Sequence, residues 1–272
     1  MSLKLCPICN SKEYNTIYPP LSDVYGNREI FICQNCFHGW DLNLHVDLNK
    51  YYNENYKMVS PPKFSIAFQR ITHYLERHYK NKKVKLIDIG SNNGRFLWHL
   101  PSDWVLYGIE TALQPAEISE KYTNAKILKT PIENVSIDKY GPYDLITSWA
   151  VIEHLIDPVS VINGLCNSLK SGGMLCLMTG DRTSLLAKAS GLKWIMYRPA
   201  GHLHFFSEKS LEYILTLNKM KIIKKYWNTG NVANYNSKLF NLAKQLFNVI
   251  YDSTPLTKMN KFDHMYIFSA KQ

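Results

Sequence analysis

The chain has 272 residues, 46% apolar and 20% charged, with a formal net charge of +10. This is an ordinary globular composition able to bury a core. With no run of 18 or more apolar residues, it argues against a membrane span. The opening "MSLKLCPICN" lacks the apolar segment of a secretory leader, so a cytoplasmic location is expected. The excess of cations is mostly lysine spread along the chain, with pairs such as Lys82-Lys83 and Lys224-Lys225 but no long run. Solvated lysine on helix faces is the expectation, and a nucleic-acid partner is disfavoured.

In chain order, the first signal is a pair of knuckles, Cys6-Pro-Ile-Cys9 and Cys33-Gln-Asn-Cys36, 23 residues apart. Two such turns can set four thiolates tetrahedrally around one Zn2+. A disulfide pair is disfavoured in a reducing compartment. A thioredoxin-like motif needs one Cys-x-x-Cys inside a βαβ unit, not two. A structural zinc site at Cys6, Cys9, Cys33 and Cys36 is therefore expected, with no position left open for catalysis. "REIFIC" alternates like a strand, and Asn10 and His38-Gly39 suit the knuckle turns. His38 and His45 read as surface residues. Cys166 and Cys176, in apolar surroundings, read as core packing. Residues 1–45 form this ribbon, and 46–80 a helical connector. The connector holds "LNKYYNENYK", Pro61-Pro62 and a helix over 63–80 with apolar Phe64, Ala67, Phe68, Ile71 and Leu75 on one face.

Residues 81–272 alternate strand and helix patterns. Strands are expected at 85–89, 105–109, 125–128, 144–148 and 174–179, with helices after Gly94, Gln114 and Asp157. That order specifies an open parallel sheet covered on both faces, with ligands beyond the strand carboxyl ends. There "DIGSNNG" follows the first strand, without the Gly-x-Gly-x-x-Gly of dinucleotide sites. A carboxylate at Asp88 would repel a pyrophosphate. S-adenosylmethionine, which carries an ammonium and a sulfonium but no phosphate, suits both the acid and the close approach allowed by Gly90 and Gly94. Glu110, 22 residues after Asp88, can accept hydrogen bonds from both ribose hydroxyls. Towards the end, "KIIKKYW" reads as a sixth strand and "DHMYIFSAK" as a seventh, antiparallel one. Between them, residues 238–252 form an apolar helix that reads as core packing before membrane contact.

Together "LIDIGSNNGRFL", "YGIE", "YDLITSWAVIEHLIDP", "LKSGGMLCLMTGD" and "GHLHFFSEKSLEYIL" resemble the class I S-adenosylmethionine-dependent methyltransferases. More narrowly, the chain resembles bacterial members with an N-terminal four-cysteine zinc ribbon, which act on sugars and secondary metabolites. The resemblance implies an α/β, Rossmann-like seven-stranded methyltransferase fold with a small zinc ribbon. It further implies that Asp88, Gly90, Asn92 and Gly94 line the methionine part of the cofactor and that Glu110 binds its ribose. Ser148 and Trp149, with Ala150, would border the methyl-bearing sulfur, and Tyr52 and Tyr56 would close over the cofactor. The acid that often reads the adenine amine is absent, because Thr130, Pro131 and Ile132 stand there.

His154, His202 and His204 are the candidate catalytic bases, since a neutral imidazole can take a hydroxyl proton as the methyl arrives. Sugar C-methyltransferases carry a Glu where Gly201 stands, and have a large domain where only 68 residues follow His204. O-methylation of a sugar, glycan or small-metabolite hydroxyl is therefore expected. An RNA base methyltransferase and a sugar C-methyltransferase are the alternatives. The RNA enzymes that share this layout have a histidine ligand in their metal module, which four cysteines replace here.

Overall fold

The computed structural model describes residues 5–22, 26–41, 43, 45, 47, 50–51, 60–80, 82–228 and 262–272. Two sheets organise it. The smaller has four antiparallel strands in the order β1-β2-β3-β9, namely β1 (Tyr14–Ile17), β2 (Ile30–Cys33), β3 (Gly39–Trp40) and β9 (His204–Phe205). The larger has seven, in the order β10-β11-β8-β7-β4-β5-β6. Its members are β4 (Lys85–Ile89), β5 (Val105–Ile109), β6 (Lys126–Leu128), β7 (Tyr143–Trp149), β8 (Leu169–Gly180), β10 (Met220–Asn228) and β11 (His264–Lys271). The first five run parallel, and β11 inserts antiparallel between β8 and β10. Parallel order reverses at the β4–β7 junction, which is where such sheets open a ligand crevice.

The central strand shows why the sheet is covered on both faces. Leu86 belongs to a core with Leu145, Met174 and Phe268, whereas Ile87 and Ile89 face Ile146, Leu175 and Leu177. Successive side chains on a strand point to opposite faces, so a strand apolar at nearly every position must be buried twice. Helix α1 (Ile66–Tyr79) covers the first face through Ile71 and Leu75. It starts where Ser65 Oγ accepts from Phe68 N and stops at Lys80, in the left-handed conformation. The other face is closed by α3 (Pro158–Asn167), capped by Asp157 with Pro158 in its first turn, and by α5 (Glu208–Leu217), capped by Ser207. Helix α2 (Leu113–Tyr122) follows β5, and α4 (Leu185–Ser190) follows β8.

Two expectations change. After Gly94 there is one turn of 3-10 helix, Leu97–His99, in place of an α-helix. Pro101 lies seven residues after Gly94 and pushes Leu100 into extended geometry, which leaves no room for a longer helix. The small sheet is also not confined to the N-terminal segment, because its last strand comes from residues 204–205. The ribbon residues Cys6, Ile8, Phe31, Cys33, Cys36 and Trp40 share one continuous core with Ile87, Leu177 and Phe206. The expected helix at 238–252 lies outside the described residues. No helix among the described residues is long and apolar enough to cross a membrane.

Candidate functional site

The turn after β4 is built on backbone geometry that its sequence anticipates. Gly90 has φ +70°, and a Cβ there would stand 2.4 Å from Val151 Cγ2. Gly94 has φ +77°, and a Cβ there would meet Ser119 Oγ of α2 at 2.5 Å. Gly94 is thus required by helix packing as well as by conformation. Asn92 takes the left-handed conformation at φ 50°, which short polar side chains tolerate, and its Oδ1 accepts from Asn93 N at 2.7 Å. An asparagine therefore does the conformational work of the missing glycine. Asn93 anchors the turn to the connector by donating from Nδ2 to Ser60 O at 3.2 Å.

Glu110 closes the turn from the neighbouring strand. One carboxylate oxygen accepts from Asn92 N and the other from Ala112 N, both at 2.8 Å. Burial moves its pKa up and the backbone N–H groups oppose the shift. Each oxygen keeps a further lone pair, so a vicinal diol has two acceptors in place.

Asp88 lies one residue before the end of the strand that leads into the turn. It is buried inside β4 and accepts from Thr147 Oγ1 at 2.6 Å. Burial pushes its pKa up to about 8, and the Thr147 hydroxyl opposes the shift. Ser148 and Trp149 are also buried. The Trp149 ring packs against Phe96 and Phe68 at centroid distances of 5.0 and 5.9 Å. Tyr52 and Tyr56 lie outside the described residues, but Tyr51 is placed: a Cβ on Gly201 would come within 2.8 Å of its ring.

The three histidines separate into a pair and a single. His154 Nδ1 donates to Gly201 O at 2.9 Å and His202 Nδ1 to Met196 O at 2.8 Å. A carbonyl only accepts, so each ring carries a proton on Nδ1, which in the neutral imidazole leaves the lone pair on Nε2. The rings meet edge to face, 4.6 Å between centroids. Burial holds His202 well below the usual imidazole range, helped by the neighbouring His154. Glu153, buried beside them, accepts from Thr179 Oγ1 at 2.9 Å. Val151, which touches Gly90, connects this group to the turn after β4.

His204 belongs elsewhere, which corrects its reading as a base. Its Nδ1 is 3.0 Å from His38 Nε2 and its Nε2 is 3.4 Å from Ile156 O. Both nitrogens are used, and burial pushes its pKa down to about 4. His38, expected on the surface, is fully buried against His204 and Phe206, and His45 is partly buried and paired with Asp41 at 2.8 Å. His38 and His204 meet because β3 and β9 pair within the small sheet.

The four cysteines converge as their spacing requires. Sγ–Sγ distances are 3.5 Å for Cys6–Cys36 and for Cys9–Cys33, and all four sulfurs lie within 4.8 Å of one another. A tetrahedral Zn–S4 centre needs about 3.8 Å between sulfurs. The turns aim amides at the sulfurs: Cys36 N donates to Cys33 Sγ at 3.4 Å, with Asn10 and Phe37 in the left-handed conformation. The hydrogen bond from Cys36 pushes the Cys6 thiol down to about 6 and holds the Cys36 proton in place. Four converging sulfurs, one of them already favouring the thiolate, suit a thiophilic dication.

One residue of the ribbon passed unnoticed in the sequence. Arg28 is fully buried, and its Nε donates to Asp41 Oδ2 at 2.9 Å. Its guanidinium also donates to the carbonyls of Pro199 (2.9 Å), Tyr197 (3.3 Å) and His202. The ribbon thereby grips the loop that carries His202. Gly108 also supports the turn after β4, since a Cβ there would strike Ser91 Oγ at 2.7 Å.

Comparison with known proteins fits this geometry. A family model described as a methyltransferase domain matches residues 64–223. The ubiquinone biosynthesis O-methyltransferase of Acinetobacter baylyi is 24% identical over 176 residues, covering 56% of this chain and 74% of that protein. Its namesake in Vibrio parahaemolyticus is 25% identical over 119 residues, 42% of this chain and 51% of that one. Among solved structures, magnesium protoporphyrin IX methyltransferase (ChlM) from Synechocystis PCC 6803 with bound SAM superposes with a TM-score of 0.54. It is 10% identical, with coverage of 85% of this chain and 100% of the other. The plantazolicin methyltransferase BpumL in complex with SAH gives a TM-score of 0.51 at 17% identity, over 75% and 82% of the two chains.

Proposed function

This chain belongs to the methyltransferase-domain family, the class I S-adenosylmethionine-dependent methyltransferases, and from that premise we propose that it methylates a hydroxyl group of a sugar, glycan or other small molecule. The observation that carries this reading is the His154–His202 pair, two imidazoles whose Nδ1 protons are fixed on main-chain carbonyls. S-adenosylmethionine, when bound, supplies an activated methyl on a sulfonium. The chain's own task is to hold donor and acceptor in line and to receive the acceptor proton.

Asn92, Gly90 and Gly94 shape the turn for the methionine part, and Glu110 takes the ribose hydroxyls. Asp88, held by Thr147, supports that turn from inside the sheet. His202 Nε2 receives the hydroxyl proton, and His154 packs edge-on beside it and fixes its orientation. Relatives named as O-methyltransferases support oxygen as the acceptor atom. Gly201 removes the extra carboxylate that abstraction of a carbon-bound proton would call for. Zn2+ at Cys6, Cys9, Cys33 and Cys36 has a structural role, with no coordination position left for a reactant.

Transfer of labelled methyl from S-adenosylmethionine to a panel of sugar nucleotides, glycan ends and phenols tests the reading. With an accepted hydroxyl substrate, His202→Gln is expected to lower kcat about 10²–10⁴-fold while leaving cofactor affinity in place. An unchanged kcat in that variant would remove His202 as the base.

A further inference from the structure

We propose that the groove between α1 and the β10–β11 hairpin is a small-molecule site, separate from the turn after β4, for a planar ring that carries an anionic group. The groove encloses about 680 Å³, within the roughly 300–1,000 Å³ of ligand pockets. Its two walls follow from periodicity. On β10, Lys224, Tyr226 and Asn228 alternate onto one face, and Tyr266 and Phe268 of β11 stand in register with the first two. On α1, Arg70, Tyr74 and Arg77 are four and three residues apart and share the side of the helix that lines the groove. Trp149, at the end of β7, packs on Phe68 of α1 and Tyr266 of β11 at 5.9 and 6.3 Å. The groove therefore borders the carboxyl ends of the central strands without including them.

The strand wall is aromatic and both walls are cationic. Tyr226 and Tyr266 stack at 4.6 Å with 6° between their planes, and Tyr74 meets Phe268 edge-on at 5.3 Å. Fixed flat rings of this kind suit a further ring. Arg70, Arg77 and Lys224 line the groove against one carboxylate, that of Glu76. Like charges converging on one concavity repel, and an anion bound there relieves the repulsion. Lys224 Nζ lies 4.3 Å from the centroid of Tyr74 and 5.5 Å from that of Tyr226. This contact keeps the ammonium at the aromatic wall, where the charged group of a stacked ring would meet it. The guanidinium groups across the groove offer the forked donors that match phosphate or carboxylate oxygens.

The inference does not rest on the proposed reaction. Its test is isothermal titration of uridine 5′-diphosphate, a planar ring with an anionic tail, into the full chain. Excess S-adenosylhomocysteine keeps the turn after β4 out of the measurement. One equivalent is expected to bind, with uridine and inorganic pyrophosphate each at least about 10-fold weaker, because each lacks half of what the groove recognises. Arg77→Gln combined with Lys224→Gln should weaken the nucleotide about 10–100-fold and leave S-adenosylhomocysteine affinity in place. Absence of binding overturns the site, as does uridine or pyrophosphate binding as tightly as the nucleotide. Affinity unchanged in the double variant places the nucleotide elsewhere and overturns it equally. Should the double variant fail to fold, Lys224→Gln alone decides, with an expected loss of about 3–10-fold.

Discussion

Removing metal from the four-cysteine centre, by chelation or by Cys33→Ser, is expected to lower the unfolding temperature of the whole chain by roughly 8–16 °C in a single transition. Structural zinc in small peptides contributes roughly 10–16 kcal/mol. Here the surrounding fold retains part of the ribbon, so a loss of at least about 4 kcal/mol is the expectation. The single transition follows from the shared core. Cys6, Cys33 and Cys36 pack with Ile87 and Leu177 of the large sheet. Ser207 Oγ donates to Cys36 O at 2.6 Å, Arg182 Nη1 to Phe37 O at 2.7 Å, and Asp41 N to Leu203 O at 2.9 Å. Loosening the ribbon therefore exposes these donors and acceptors on the rest of the fold as well. Calorimetry of zinc-loaded and zinc-free protein would check this, and two separate transitions, or a shift under about 2 °C, would contradict it.

Arg28→Ala is expected to cost about 3–5 kcal/mol, or roughly 6–20 °C in unfolding temperature. The substitution leaves Asp41 buried without its cation and three carbonyls without their donor. His45 Nε2 also reaches Asp41 Oδ2, at 2.8 Å, and Asn43 N donates to Oδ1 at 2.9 Å, so the loss should fall at the lower end of that range. Arg28→Lys should recover little, because an ammonium cannot reproduce a planar fork that serves Asp41 and three carbonyls at once. Denaturant unfolding of both variants measures the effect. A change under about 1 kcal/mol in the alanine variant would mean that solvent or neighbouring groups satisfy Asp41.

Much of the large sheet is legible because its signal is local. "KLIDI" is apolar on both faces and ends in a glycine turn, and β4 spans those residues as expected. Cys-x-x-Cys pairs announce their own geometry, and the knuckles close as the spacing requires. The misreadings arise where distant segments meet. Nothing near Arg28 distinguishes it from a solvated arginine, since its carbonyl partners lie about 170 residues away. His38 reads as a surface residue until β3 pairs with β9 and buries it under His204. His202 and His204 stand two residues apart, yet His202 turns to Met196 and His154 while His204 turns to His38. Asp88 stands at a strand end in sequence order, and only the fold shows how deeply it is buried.

Isothermal titration of S-adenosylmethionine into the zinc-loaded wild type, Glu110→Gln and Glu110→Ala tests the cofactor assignment on which the proposed chemistry rests. The wild type should bind one equivalent. Glu110→Ala, which removes both charge-assisted ribose contacts, should bind at least about 100-fold more weakly. Glu110→Gln, which preserves shape and one acceptor, should fall between them. Absence of binding to a folded wild type, or equal affinity in Glu110→Ala, would contradict the placement of the cofactor on the turn between β4 and β5.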